Sequence, residues 1–125
     1  MIVGVGIDLV AVERIARLLE RHRDRFFARC FIPGEAARLG DPQHIAGLIA
    51  AKEAAFKALG TGWSDGVGWR DVTVARNAAG APSLALGGAA GERARALGAA
   101  ASHLSISHEG GLAVAVVILE SAPRL

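Results

Sequence analysis

The sequence predicts one domain of the α+β class, and three observations support this class. The chain has 125 residues, the size of a single domain with one core. Short apolar runs of strand type are interspersed with segments in which apolar residues recur at helical spacing. Two pairs of predicted strands follow one another late in the chain, and such local hairpins form antiparallel sheets.

The first third of the chain predicts a strand, a helix and a chain break. Ile2–Leu9 is rich in Val, Ile and Gly, which is typical of a short buried strand. Over Val12–His22 the apolar residues recur every three or four positions and arginines occupy another face, as in an amphipathic helix. Pro33-Gly34 interrupts this pattern, and a short helix is expected over Gly34–Leu39.

The most distinctive predicted element is a helix over Gln43–Leu59. Asp41 is suited to cap its amino terminus, and Pro42 is suited to its first turn. Gly60 and Gly62 are expected to end it. Its residues are apolar on nearly all faces, so the helix is predicted to be buried.

A glycine-rich loop over Trp63–Arg70 and a first hairpin are predicted next. The hairpin strands are Asp71–Arg76 and Ser83–Leu86, around a turn at Asn77–Pro82. Alanine and arginine then favour a helix over Gly91–Ala101.

The chain is predicted to close with a second hairpin. Its strands are Ser102–His108 and the almost wholly apolar Leu112–Leu119, around Glu109-Gly110-Gly111. An antiparallel sheet packed against the long buried helix is therefore expected.

The composition excludes several classes of protein. Apolar residues make up 52% and charged residues 21%; the apolar share is high for so short a chain and predicts burial between subunits. Cys30 is the only cysteine, which excludes an internal disulfide and a cysteine zinc cluster. Since the chain has no signal pattern and no apolar run of about eighteen residues, a soluble, cytoplasmic protein without a membrane partner is expected.

Lys52, Glu53 and Lys57 are the only ionisable residues between Ile45 and Leu59. Burying charge is costly unless a partner, a ligand or a metal compensates it. Glu53 and Lys57 are four positions apart, which is the spacing of a helical ion pair. A structural salt bridge and a ligand site are therefore both open interpretations.

Asp8 ends the apolar strand after Gly4-Val5-Gly6-Ile7. It would cap the following helix or serve as a ligand. The Gly4-x-Gly6 pair is not a dinucleotide fingerprint, because no third glycine follows at the right spacing. With Glu53, Asp8 would supply the one or two carboxylates that magnesium takes beside substrate phosphates, while the lysines offset phosphate charge.

Strand alternation along Ser105-Ile106-Ser107-His108 places both serines on the face opposite Leu104 and Ile106. His108, at the strand end, would be a phosphate donor, a proton carrier or an ordinary hairpin residue. No Gly-x-Ser-x-Gly surrounds either serine, so a hydrolase nucleophile is not predicted.

Three segments of the chain occur together, in this order, in one known family. They are Val5-Gly6-Ile7-Asp8, Ala51-Lys52-Glu53-Ala54-Ala55-Phe56-Lys57-Ala58-Leu59-Gly60-Thr61-Gly62 and Ser105-Ile106-Ser107-His108. The chain resembles the phosphopantetheinyl transferases, and more narrowly the short bacterial holo-[acyl-carrier-protein] synthases. The likeness runs from Ile2 to about Glu120 and includes the Gly80-x-Pro82 turn.

This resemblance implies a small α+β subunit with pseudo-two-fold symmetry, assembled as a homotrimer with coenzyme A bound between subunits. It implies that Asp8 and Glu53 ligate Mg²⁺ together with the diphosphate of coenzyme A. The implied reaction is attack by a serine of apo acyl carrier protein on the β-phosphate, with adenosine 3',5'-bisphosphate leaving. The implied role is in fatty acid biosynthesis.

The resemblance also implies roles for other residues. Lys57, one helical turn after Glu53, would reach the same phosphates; Lys52 points about 100° away and would serve another phosphate or a neighbouring subunit. The serine proton would go to Glu53 or to a water on the metal ion, in preference to His108. The implied catalytic residues are Glu53, Lys57 and His108. The implied coenzyme A contacts are Lys52, Lys57, Gly60, Pro82, Ser107 and His108.

An arginine face on the first helix fits an acidic protein partner. Arg14, Arg17, Arg21 and Arg25 are predicted to dock the carrier protein, mainly raising the association rate and specificity. A solvated basic stripe is the alternative interpretation. Basic residues at Arg14 and Arg21 are typical of the family.

The chain departs from the family pattern at two places. Leu48-Ile49 stands where Arg-Phe is common, and Ala81 replaces a frequent lysine. Both changes remove positive charge, so weaker binding of coenzyme A is expected unless Arg76 or an arginine of a neighbouring subunit substitutes.

Three other interpretations remain open. A magnesium-dependent hydrolase of diphosphate compounds would use the same carboxylates with water as acceptor. A basic module for nucleic acid is disfavoured, because the chain has no tyrosine, few aromatic residues and one short arginine stripe. A fold that has lost catalysis is the third.

Overall fold

The computed structural model describes residues 1–61 and 66–123, which form five strands, three α-helices and one 3-10 turn. In chain order these are β1 (Ile2–Ala11), α1 (Val12–Cys30), α2 (Pro42–Leu59), the 3-10 turn Trp69–Asp71, β2 (Val72–Arg76), β3 (Pro82–Leu86), α3 (Gly88–Ala96), β4 (Ala99–Glu109) and β5 (Leu112–Ser121). The predicted α+β class is confirmed.

The strands form one antiparallel sheet and one separate hairpin. The sheet has the order β1-β5-β4, with β5 in the centre, and the hairpin joins β2 to β3. In this register Asp8 of β1 faces Ala115, and His108 of β4 faces Ala113. Both predicted hairpins are confirmed, since β4 and β5 are also joined by a tight glycine turn.

Helix α2 lies against the inner face of the sheet and is the centre of the core. Fourteen of its eighteen residues are buried, as the apolar sequence predicted. Asp41 caps it by accepting hydrogen bonds from the Gln43 and His44 backbone N–H groups, at 3.0 and 3.3 Å. Gly60 ends it in the left-handed conformation, whereas Gly62, also expected to end it, is outside the described residues.

Two glycines of β1 let the backbone of α2 approach unusually closely. A Cβ on Gly6 would lie 1.8 Å from the Ala54 carbonyl oxygen, and one on Gly4 would lie 2.2 Å from that of Ala58. The Gly4-x-Gly6 pair therefore serves helix packing, because only a hydrogen fits between the strand and the helix at either position.

Strand β1 is covered on one face only, which corrects the prediction of a buried strand. Its glycines and Val10 face α2, while alternate residues point away from the helix. In the single chain Val5, Ile7 and Leu9 are 58%, 56% and 61% exposed.

The helix predicted over Val12–His22 is present, and the helix expected over Gly34–Leu39 was wrong. Helix α1 continues past His22 to Cys30, with a non-helical residue at His22 (φ −140°, ψ 33°), because Phe26 and Phe27 after the kink pack against the core. Gly34–Leu39 forms turns and bends instead of a helix, since the side chain of Glu35 is drawn inward to a buried partner.

The helix predicted over Gly91–Ala101 also had wrong limits. Helix α3 ends at Ala96, Gly98 takes a left-handed conformation, and β4 begins at Ala99 because residues from there on pair with β5.

Of the loop predicted over Trp63–Arg70, the first three residues lie outside the described part, and its end forms the 3-10 turn. None of the described helices has both the length and the apolar character needed to cross a membrane.

Candidate active site

The contact between β1 and α2 brings together Asp8, Glu53 and Lys57. Asp8 lies two residues beyond Gly6 on the strand face that meets the helix. Glu53 and Lys57 immediately precede Ala54 and Ala58, the helix residues that this strand contacts. The close packing of the two backbones therefore brings the three side chains to one place.

Lys57 links the helix to the strand. Its Nζ donates to Asp8 Oδ1 at 2.8 Å and to the Ile7 carbonyl oxygen at 3.0 Å. The hydrogen bond to Asp8 and its charge raise the pKa of Lys57. Lys57 thus pairs across the contact with Asp8, which corrects the interpretation of a structural Glu53–Lys57 pair along the helix.

Glu53 carries an electrostatic strain that a cation would relieve. Burial, followed by the hydrogen bond and charge of Asp8, raises the pKa of Glu53 to about 7. Glu53 forms an ion pair with Arg14, whose Nη2 is 3.8 Å from Glu53 Oε1. Asp8 Oδ2 is buried, and no described residue donates a hydrogen bond to it. The neighbouring carboxyl of Glu53 donates to it only in the protonated form.

These two carboxylates fit a magnesium ion. Among the described residues no group of three or more Asp, Glu, His or Cys side chains forms a complete metal cage. Magnesium does not need one, because it commonly takes one or two carboxylates and fills its shell with substrate phosphates and water. A buried, unpaired carboxylate oxygen beside a carboxyl of raised pKa is the donor set that such an ion requires.

Lys52, predicted to bind a phosphate, points into the core, and this prediction was wrong. Its side chain is fully buried, its Nζ is 2.9 Å from Glu35 Oε2, and it also donates to the backbone carbonyls of Trp69 and Val72. With all three ammonium hydrogens directed to protein acceptors, Lys52 has no donor for a ligand. Glu35 was not among the predicted site residues, because its position in an irregular loop carries no periodic signal.

Replacement of Lys52 by methionine is expected to destabilise the fold by about 3 kcal/mol or more, because the Glu35 carboxylate would remain buried without its cation. Urea unfolding measures this free energy. Arg17→Met serves as the control, since both members of its ion pair with Glu13 are exposed, and its unfolding free energy should change by less than about 1 kcal/mol. Equal losses in the two variants would contradict a structural role specific to Lys52.

His108 lies at the other end of α2. Its Nε2 is 2.9 Å from the Gln43 carbonyl oxygen, and a Cβ on Gly47 would lie 2.9 Å from the same nitrogen. Gly47 therefore makes room for the imidazole. Ser107 and Ser105 are exposed while Leu104 and Ile106 pack on the core, which confirms the predicted alternation.

The predicted site residues form two groups within one chain. Asp8, Glu53 and Lys57 lie at the carboxyl-terminal half of α2, whereas His108 and Ser107 lie near its first turn. Gln43 and Glu53 are ten residues apart, or about 15 Å along a helix. Pro82 starts β3 opposite Arg76, and Gly60 lies at the carboxyl end of α2.

All four arginines predicted to dock a partner are exposed, but they do not form one continuous face. The kink at His22 separates Arg25 from the other three. Arg17 is paired with Glu13 at 2.8 Å, and Arg14 leans towards Glu53. Of the three arginines before the kink, Arg21 forms no ion pair with a described residue.

Comparison with known proteins identifies the family. The sequence profile of the 4'-phosphopantetheinyl transferase superfamily matches residues 4–117. The holo-[acyl-carrier-protein] synthase of Nitratidesulfovibrio vulgaris (strain DP4) is 51% identical over 124 residues, covering 97% of this chain and all of the relative. That of Anaeromyxobacter dehalogenans (strain 2CP-C) is 50% identical over 129 residues, with 98% of each chain covered.

Solved structures agree with this assignment. The holo-[acyl-carrier-protein] synthase of Helicobacter pylori, determined in complex with coenzyme A, is 32% identical and superposes with a TM-score of 0.82, covering 93% of this chain and 99% of the other. The enzyme of Plasmodium yoelii is 27% identical with a TM-score of 0.85 and 98% coverage of both chains. The chain belongs to the 4'-phosphopantetheinyl transferase superfamily.

Proposed function

We propose that this protein is a holo-[acyl-carrier-protein] synthase, which transfers 4'-phosphopantetheine from coenzyme A to a serine of an apo acyl carrier protein. The observation that carries the proposal is the cluster of Asp8, Glu53 and Lys57, in which two adjacent carboxylates and an accessible ammonium suit a metal ion and a diphosphate. The relatives that share half of its residues carry the same enzyme name. Such an enzyme acts in the cytoplasm and supports fatty acid biosynthesis.

Asp8 and Glu53 would hold the magnesium ion. When bound, magnesium would offset the negative charge of the diphosphate. Lys57 is 57% exposed and retains donor capacity beyond its bonds to Asp8 and Ile7, so its ammonium would bind a phosphate oxygen. The carboxylates and Lys57 thereby hold the diphosphate in a fixed orientation, which is the main requirement of phosphoryl-type transfer.

Glu53 would accept the proton of the carrier-protein serine. A carboxylate has two oxygens, so one would remain for the proton beside the one that holds the ion. The serine oxygen then bonds to the β-phosphorus, and the bond from that phosphorus to the leaving phosphate oxygen breaks, releasing adenosine 3',5'-bisphosphate.

Release of adenosine 3',5'-bisphosphate from coenzyme A, with and without apo carrier protein, tests this assignment. A transferase should release it only when apo carrier protein is present. Equal release in the absence of carrier protein would instead favour the hydrolase interpretation, and no release in either case would favour a fold that has lost catalysis.

The sheet face opposite α2 is proposed to pack against other copies of the chain, giving a trimer. Val5, Ile7 and Leu9 are each more than half exposed there, beside partly exposed apolar residues of β5. Such an apolar face is normally covered by a partner. Assembly would also let the two separated groups of site residues meet between subunits.

Ile7→Glu is therefore expected to shift the protein to monomers at micromolar concentration, because a charge would be buried in the centre of this face. Light scattering coupled to size-exclusion chromatography measures the mass. Leu39→Glu is the matched control, as Leu39 is exposed outside the sheet. A monomeric wild type would contradict the proposed assembly.

The arginines of α1 are proposed to dock the acidic carrier protein. Arg21→Ala is expected to lower kcat/KM for the carrier protein by about three- to tenfold at low salt, and by less at high salt. Arg17→Ala should have a smaller effect, because Glu13 already neutralises this guanidinium. Equal effects of both variants at all salt concentrations would contradict docking through this face.

A further inference from the structure

A buried ion pair anchors α2 to the segment that follows α1. The side chains of Glu35 and Lys52 are 1% and 0% exposed, and the two Glu35 oxygens are 3.0 and 2.9 Å from Lys52 Nζ. The Glu35 carboxylate also accepts hydrogen bonds from the backbone N–H groups of Ile32, at 3.2 Å, and Val74, at 2.8 Å. The loop and β2 therefore hold this carboxylate in one orientation.

Lys52 extends the anchor to further segments. Its Nζ donates to the carbonyl oxygen of Trp69 in the 3-10 turn, at 3.1 Å, and to that of Val72 at the start of β2. The same Nζ lies 5.0 Å from the centre of the Phe31 ring. One ammonium thus joins α2 to the 31–35 segment, the 3-10 turn and β2, in directions that charge-assisted hydrogen bonds fix.

Stability alone does not account for this ion pair. Burial has the largest effect on the pKa of Lys52 and lowers it, whereas the hydrogen bond and charge of Glu35 raise it. Because both charges lose their hydration, a buried ion pair is often no more stabilising than apolar side chains of similar volume. Apolar contacts are non-directional, while hydrogen bonds fix the angle at which two segments meet. The specific contribution of the pair is therefore orientation.

The orientation that concerns the site is the rotation of α2 about its own axis. Lys52 lies two residues before Ala54, or about 200° around the helix, so the ion pair and β1 hold opposite faces of α2. Glu53 lies between these faces, about 100° from each. Glycine and alanine form the contact with β1, and such low ridges fix the distance between the backbones more firmly than the rotation. A rotation of about 20° moves a carboxylate about 6 Å from the helix axis by about 2 Å.

We propose that Glu35, acting through Lys52, is a positioning residue for the transfer reaction, because it fixes the rotation of α2 at which Glu53 meets Asp8. This inference rests on the proposed function, in which the two carboxylates hold the metal ion. A displacement of about 1 Å at a reacting centre costs about 10²-fold in rate. Loss of the ion pair should therefore impair the site more than loss of an equally buried apolar side chain does.

Glu35→Gln combined with Lys52→Met tests the proposal, since it removes both charges, keeps the side-chain volumes and leaves no single charge buried. The kcat should fall by about 10²-fold, while KM for the carrier protein stays within about threefold, because the arginines of α1 lie outside this network. Calorimetric titration with magnesium alone should show binding at least about tenfold weaker than in wild type.

Leu119→Ala is the control, because it also removes buried volume from the core. It should lower the urea midpoint of unfolding, yet keep kcat and the affinity for magnesium within about threefold of wild type. Each protein is assayed at a temperature at which circular dichroism shows it to be folded. If the double variant does not fold, Glu35→Gln alone, which keeps one acceptor oxygen, should lower kcat by about tenfold.

The outcomes separate this inference from the proposed function. Folded Glu35 variants whose kcat and magnesium affinity equal those of Leu119→Ala would overturn the positioning role and leave the transferase standing. A wild type that neither modifies a carrier protein nor binds magnesium would overturn both.

Discussion

Glu53→Gln is expected to lower the transfer rate by about 10³-fold or more while the protein remains folded. The substitution removes a proposed metal ligand, which is also the group proposed to take the serine proton, and loss of general-base catalysis alone is worth about 10²- to 10⁴-fold. A steady-state assay of carrier-protein modification measures the rate. Glu92→Gln, on the exposed side of α3, is the matched control and should retain full activity.

The same substitution has a distinct effect on stability without metal. Folding raises the pKa of Glu53 from 4.5 to about 7, so between these values the folded chain holds a proton that the unfolded chain has released. The free energy of unfolding therefore falls as the pH rises through this range, and the full penalty is present above pH 7. Metal-free Glu53→Gln should melt at a higher temperature than wild type at pH 8, and at a similar temperature at pH 4.

Magnesium should reverse this penalty in the wild type only. Because the protonated carboxyl must lose its proton to bind the ion, the affinity for magnesium should fall below pH 7, by up to about tenfold per pH unit. Thermal melts with and without magnesium at several pH values measure the effect. A wild type whose melting temperature is unaffected by both pH and magnesium would contradict the metal assignment.

Gly6→Ala is expected to be among the most damaging single substitutions in the chain. The added Cβ would lie 1.8 Å from the Ala54 carbonyl oxygen and 2.7 Å from the Ala58 nitrogen, and these backbone atoms have no rotamer by which to move aside. We expect a loss of about 3 kcal/mol or more in the free energy of unfolding, at the upper end of the range for overpacking. Urea unfolding measures it.

Gly6→Ala molecules that still fold should be inactive. Asp8 lies two residues from Gly6, and Glu53 lies beside Ala54, so separation of the strand from the helix moves the two carboxylates apart. Gly40→Ala is the matched control, because its nearest non-neighbouring atom would be 3.9 Å away. An unfolding free energy within about 0.5 kcal/mol of wild type for Gly6→Ala would show that the contact is not this close.

The parts of the fold that could be predicted have local causes. Asp41 and Pro42 mark the start of α2, and Gly60 marks its end, because caps act within one turn. Alternation in β4 likewise identified the face that carries Ser107. The pairing of Asp8 with Glu53 was predicted from their residue types and from the family resemblance, and the close packing of β1 on α2 gives it a physical basis.

The parts that could not be predicted depend on contacts distant in sequence. A helix that is apolar all round has no periodic signal to show which face meets which partner, so the burial of Lys52 in the core could not be predicted. Its partner Glu35 lies in an irregular loop 17 residues earlier. Helical composition similarly extended α3 too far, since pairing with β5 overrides propensity after Gly98.

This chain is proposed to move phosphopantetheine onto a carrier protein through Asp8, Glu53 and Lys57. Intact-mass measurement of an apo acyl carrier protein, incubated with this protein, coenzyme A and magnesium, tests it most directly. The carrier protein should gain the mass of one phosphopantetheine group, and the gain should vanish with EDTA and with Glu53→Gln. An unchanged mass across several carrier proteins, with folded protein and saturating coenzyme A, would contradict the account.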